Sequence, residues 1–172
     1  IDQAVEGIVN AIFFNQGHVC CAGSRLFIQA SVADTVIEKL KDRISTLIVG
    51  DPLDKNTDIG AINSVEQLNT IEKYIEIGKK EGGEIYQTEC SLPKKGNWCP
   101  PTLFLNVSQS HTIVKEEIFG PVLPVMTYAD IAEVPNKIEP RRNPLAMYYF
   151  GKDKSEQEYL LSHVQSGGVC IN

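Results

Sequence analysis

A doubly wound α/β fold, with a mostly parallel sheet and helices on both faces, is the architecture this sequence predicts. Three observations point to it. Segments with apolar residues at helical spacing alternate with short runs rich in Val, Ile, Leu, Phe and Tyr. Glycine, proline and Asp/Asn clusters punctuate the alternation. The length, 172 residues, and a composition of 42% hydrophobic and 22% charged residues suit one domain with a substantial core. There is no repeat, low-complexity tract or linker.

Taken in order, Asp2 to Phe14 predicts a helix, because Val5, Ile8, Ala11 and Ile12 recur at helical spacing. Leu26 to Ile28 is expected as a short buried strand. Ser31 is expected to cap a second helix whose apolar face is Val36, Ile37, Leu40, Ile44 and Leu47. Gly50 to Gly60, rich in Asp, Pro and Asn, is a loop. Ser64 and Gln67 form a capping-box pattern for a third helix with Leu68, Ile71 and Ile75 on its buried side, closed by Gly82-Gly83.

Glu84 to Gln87, Thr102 to Asn106 and Val122 to Thr127 are expected strands, and Cys90 to Pro101 is a proline-broken loop. Asp130 to Arg142 reads as irregular, with Pro135 breaking any helix and Arg141-Arg142-Asn143-Pro144 as a turn. The apolar run Leu145 to Phe150 predicts a central strand. Lys154 to Gln165 is a helix capped by Asp153 and closed by Gly167-Gly168, and Val169 to Ile171 is a last strand.

Bulk chemistry removes several function classes. A net charge of -6 argues against a nucleic-acid surface. No apolar run approaches the roughly 20 residues a bilayer requires, and no Lys/Arg block suggests a membrane anchor. Five cysteines in no disulfide or zinc spacing predict free thiols, no metal and a reducing compartment. The sequon at Asn106 is read as chance. No leader follows Ile1, and the chain reads as cut from a longer one.

The stretch Phe13 to Arg25 is where chemistry concentrates. Two cysteines sit between Gly17 and Gly23, after an apolar helix and before a strand. A thiol on such a turn is held in place yet reachable, which suits a nucleophile. This stretch closely resembles the active-site cysteine segment of the NAD(P)-dependent aldehyde dehydrogenases. Phe13, Gly17 and Cys20 occupy the aromatic, glycine and nucleophile positions, and Cys21 to Arg25 continue the match. His18 departs from it, where the family has Gln or Glu. Glu116-Glu117-Ile118-Phe119-Gly120-Pro121-Val122 resembles a second strong segment of the same family. The likeness covers essentially the whole chain and is weakest from Asp130 to Pro144.

What the resemblance implies is an oxidoreductase using NAD or NADP on a small aldehyde. Cys20 is then the nucleophile: its thiolate adds to the carbonyl, hydride leaves to the nicotinamide, and water hydrolyses the resulting thioester. The main-chain N–H of Cys20 helps hold the oxyanion. Glu117 accepts hydrogen bonds from the nicotinamide ribose, Phe119 packs near the ring, and Gln67 occupies a cofactor-contact position. Asn172 matches an asparagine near the substrate end. The general base, an oxyanion-hole asparagine and most of the NAD domain are expected before Ile1. Residues 1–172 are thus expected to be the catalytic domain, truncated at both ends and inactive alone. The family's subunit pairing implies a homodimer or homotetramer, in the cytosol or the mitochondrial matrix.

The residues also allow plainer roles. Either motif taken without the other reads first in plain terms, Cys20 as a packed cysteine, Phe119 as core and Glu117 as a solvated charge, and Gln67 reads at least as well as a helix-capping residue. Cys21 reads as a supporting thiol, and Cys90, Cys99 and Cys170 as structural. Two rival functions fit the same chain: a non-catalytic member used for binding or assembly, with His18 a sign of drift, and a thiol hydrolase acting through Cys20. Cofactor binding without oxidation marks the first; ester cleavage without NAD marks the second.

Overall fold

The computed structural model describes residues 1–138 and 143–172. Arg141 and Arg142, and so half of the turn expected there, lie outside the described residues. Helices α1 (Asp2–Phe13), α2 (Ala33–Ser45), α3 (Val65–Lys80) and α6 (Lys154–His163) alternate with strands β1 (Leu26–Gln29), β2 (Glu84–Gln87), β3 (Thr102–Leu105), β4 (Val122–Tyr128), β5 (Ala146–Tyr149) and β6 (Gly168–Ile171). Two one-turn helices, α4 (Thr112–Lys115) and α5 (Val134–Lys137), complete the order.

Four strands form one sheet in the order β1-β4-β3-β2. β1 and β3 run parallel to β4, and β2 runs antiparallel to β3 at the edge. β5 and β6 form a separate parallel pair bridged by α6, a βαβ unit.

Alternation along the inner strands gives each sheet face its own helices. Leu103, Leu105, Leu123 and Val125 pack with Val5, Ile8, Ile12, Leu40 and Ile44 of α1 and α2. Phe104, Val122 and Met126 point the other way, against Ile71 and Ile75 of α3 and Ile113 of α4. Phe104, Leu103 and Leu123 are fully buried, so β3 and β4 are the true centre of the sheet.

Several expectations need correction. Leu145 to Phe150 is not central: only Met147 and Tyr149 are buried, under Leu160 and Val164, and Leu145 is exposed. One-sided burial against α6 is enough to select an apolar run. Of the β1 strand, only Ile28 is buried. Ser31 makes no cap among the described residues; a 3-10 turn over Ala30–Val32 leads into α2, whose N-cap is Val32. Pro135 does not prevent a helix, because it falls in the first turn of α5, where no amide donor is needed. α6 ends at His163, two residues before Gln165.

Ser64 does cap α3, its hydroxyl accepting from the Gln67 N–H at 3.1 Å. The reciprocal half of the box is absent among the described residues, because the Gln67 side chain is engaged elsewhere. Asp153 caps α6 through Ser155 and Glu156 N–H groups.

Candidate active site

The path from α1 to β1 is tightly constrained. A 3-10 turn over Phe14–Gly17 ends α1. Asn15 (φ 49), Gln16 (φ 58) and Gly17 (φ 74) all adopt left-handed conformations. Non-glycine residues hold such angles only where neighbours fix them. Here the Gly60 N–H donates to Gln16 Oε1 at 3.0 Å, and the Asn15 side-chain amide donates to the His18 carbonyl at 3.2 Å. Gly17 is required for a second reason: a Cβ there would fall on the Gly120 carbonyl oxygen. The two sequence motifs therefore touch backbone to backbone.

Cys20 sits at the top of the following turn and is exposed; Cys21 is half-buried. Their turn is tied down on both sides. The Gly23 N–H donates to the Ala11 carbonyl at 2.8 Å, and Tyr148 Oη–H donates to the Cys21 carbonyl at 2.9 Å. Burial first, with Cys21 beside it, pushes the Tyr148 phenol up, so it remains a donor across the neutral range.

The second motif faces this turn. Phe119 is itself left-handed at φ 55 and is 39% exposed, between buried Ile118 and Gly120. Two adjacent glutamates precede it and differ in setting. Tyr74 Oη–H donates to Glu116 Oε2 at 2.6 Å, which pushes the Tyr74 phenol up. Glu117 is exposed and has no such partner among the described residues. The Gln67 side-chain amide donates to both the Ile118 and Phe119 carbonyls, at 3.0 Å each.

His18 lies almost parallel to the Phe119 ring, with centroids 5.8 Å apart and planes 8° from each other. Its Nε2 is buried without a partner among the described residues, and burial holds the imidazole below its ordinary range. It is therefore neutral at neutral pH. Cys20, Glu117, Phe119 and Asn172 line one open groove of about 990 Å³.

Of the residues singled out from the sequence, Cys20, Glu117 and Phe119 converge on this groove. Gln67 reaches it through the Phe119 turn. Asn172 lines it too, but its side chain is occupied: Oδ1 accepts from the Gly151 N–H at 2.9 Å and Nδ2 donates to the Gly151 carbonyl at 3.0 Å. Sequence reasoning missed Tyr148, which supports the cysteine turn from β5. No local signal marks it, because the contact joins residues far apart in the chain. Among the described residues no cluster of His, Cys, Asp and Glu could hold a metal, and no helix is long and apolar enough to cross a membrane.

Likeness to known proteins gives the family and the fold. A family model described as "Aldehyde dehydrogenase family" matches residues 1–172. The mitochondrial aldehyde dehydrogenase of Mesocricetus auratus is 38% identical, over 100% of this chain and 34% of that protein. An aldehyde dehydrogenase from Bacillus cereus in an NAD+ complex superposes with a TM-score of 0.92 at 32% identity, covering 99% of this chain and 35% of that one. A betaine aldehyde dehydrogenase from Staphylococcus aureus in complex with NAD+ superposes with a TM-score of 0.88 at 31% identity, over 98% of this chain and 34% of that one. The chain spans about a third of the length of the curated relatives it matches.

Proposed function

The chain belongs to the aldehyde dehydrogenase family, and from that premise we propose that it carries the nucleophile of an enzyme that oxidises an aldehyde to a carboxylate with NAD(P). The observation that carries this reading is the meeting of the two motifs. The Gly17–Gly120 contact and the His18–Phe119 stack bring the Cys20 turn and the Glu117–Phe119 segment to one groove.

The groove suits a ribose bearing a flat ring. Glu117 is an exposed carboxylate able to accept two hydroxyl donors, and Phe119 offers an aromatic surface. Glu117 and Phe119 are the residues that hold the cofactor in this reading, with Gln67 behind them. Solved relatives in complex with NAD+ support a nicotinamide cofactor as the partner, NAD or NADP. When bound, the nicotinamide supplies the acceptor for the hydride that leaves the aldehyde carbon.

Everything else falls to the protein. The Cys20 thiolate attacks the carbonyl carbon, forming the C–S bond and leaving an oxyanion near the Cys20 main-chain N–H. Loss of hydride makes a thioester on Cys20. Water cleaves it, releasing the carboxylic acid and returning the thiol. The residue that activates that water is assigned to sequence outside residues 1–172. Residues 1–172 act in this reading as the nucleophile-bearing domain of a longer protein that pairs as a dimer or tetramer. The free thiols suit a reducing compartment, as in the cytosol or mitochondrial matrix.

The test is to mix the complete protein with an aldehyde and NAD, quench in acid and map the acylated peptide. An acyl group on Cys20 that forms only when NAD is present is the expected result. Acylation by simple esters without NAD would favour a thiol hydrolase instead. Cofactor binding with no acyl-enzyme at any cysteine would favour a non-catalytic member.

A further inference from the structure

Two side chains that pack on the Phe119 turn take no direct part in the bond-making steps above. His18 stands where the family pattern has Gln or Glu, and its ring faces Phe119 in an offset stack. Gln67 commits its side-chain NH2 to two consecutive carbonyls, those of Ile118 and Phe119. Between them is a phenylalanine in the left-handed region, a conformation that a bulky residue keeps only under external restraint. The residue is 39% exposed, so core packing supplies only part of that restraint.

We propose that His18 and Gln67 are positioning residues that clamp Phe119, His18 on the ring and Gln67 on the backbone, so that both govern cofactor affinity through Phe119 and not by touching the cofactor. The inference rests on the reading of Glu117 and Phe119 as the cofactor rim. It reassigns Gln67 from cofactor contact to support of the turn that presents Glu117 and Phe119. Chemistry separates the two roles. A ribose hydroxyl can be served by an amide oxygen or a carboxylate, but two carbonyl oxygens need a donor. Gln67→Glu keeps the shape and removes the donors. His18→Phe keeps a ring over Phe119 without imidazole chemistry.

The experiment measures NAD+ dissociation constants of the complete protein by titration calorimetry. Thermal midpoints and cofactor-free alkylation rates of Cys20 are recorded alongside, and a merely structural defect would move both. Gln67→Ala is expected to weaken binding about tenfold through the loss of two hydrogen bonds, and Phe119→Ala about tenfold through the loss of the aromatic surface. Gln67→Glu weakens it further than Gln67→Ala. His18→Ala weakens it about threefold, and His18→Phe restores it. Wild-type affinity in Gln67→Glu, or His18→Phe as weak as His18→Ala, would overturn the clamp. If Phe119→Ala weakens binding while the Gln67 and His18 variants do not, the clamp alone fails. If Phe119→Ala is silent, the cofactor-rim reading fails with it.

Discussion

Cys20 and Cys99 are the same side chain in opposite settings. Cys20 is exposed on a turn that follows three left-handed residues and leans on Gly120. Cys99 is 3% exposed, packed with Ile62, Ile71, Ile75 and Phe104. Burial, with Glu72 adding to it, pushes the Cys99 thiol up to about 12. Its Sγ lies 3.6 Å from the Pro100 carbonyl oxygen, as a weak donor. In the proposed reading, backbone and burial, not residue type, decide which cysteine can act. A thiolate needs solvent or dipoles around it, and the α3–β3 core offers neither.

The largest expected effect is at Cys20 itself. Cys20→Ala in the complete enzyme should lower aldehyde oxidation by at least about a thousandfold with an unchanged circular dichroism spectrum, whereas Cys99→Ala should retain most activity. Steady-state rates with saturating aldehyde decide it. Gly17→Ala should cost about 3 kcal/mol or more of unfolding free energy, because its Cβ would fall on the Gly120 carbonyl and its φ is 74. Urea unfolding reads that loss, and activity should fall with it as the two motifs separate.

Cys99 gives a pH test whose sign is fixed. Its folded pKa is raised, so the neutral thiol is favoured in the fold. The stability it contributes is complete below its ordinary value of 9.0 and is lost as pH rises toward about 12. Above pH 9 the wild-type chain should lose up to about 1.4 kcal/mol per pH unit more than Cys99→Ala. Denaturant midpoints at neutral pH and at a pH above 9 check it. The smallest effect is at the helix that brings Gln67 to the site. Ser64→Ala should cost about 1 kcal/mol through loss of the α3 cap, with a small rise in KM for NAD and little change at Cys20.

The same contrast shows what a linear reading reaches. α1 and α3 are legible because Val5, Ile8 and Ile12, or Ile71 and Ile75, recur at helical spacing and are buried as that spacing requires. Gly17 and Cys20 are legible because a local turn must be written in local residues. Burial depth is not. Leu145–Phe150 and Thr102–Leu105 are both apolar runs, yet only the second is covered on both faces. Pro135 misleads because position within the turn, not the residue alone, decides its effect. The amide of Gln67, the phenol of Tyr148 and the ring of His18 all work on distant segments, and no spacing in the chain announces such contacts.

Cys170 makes the decisive measurement sharper, because it is exposed like Cys20 but lies on β6. The complete protein would be treated with limiting iodoacetamide at neutral pH, with labelled peptides and aldehyde oxidation followed together. Cys20 is expected to be labelled first, with activity falling in proportion to its labelling, Cys170 following and Cys99 lagging. Activity that survives full labelling of Cys20, or labelling of Cys20 no faster than Cys170, would contradict it.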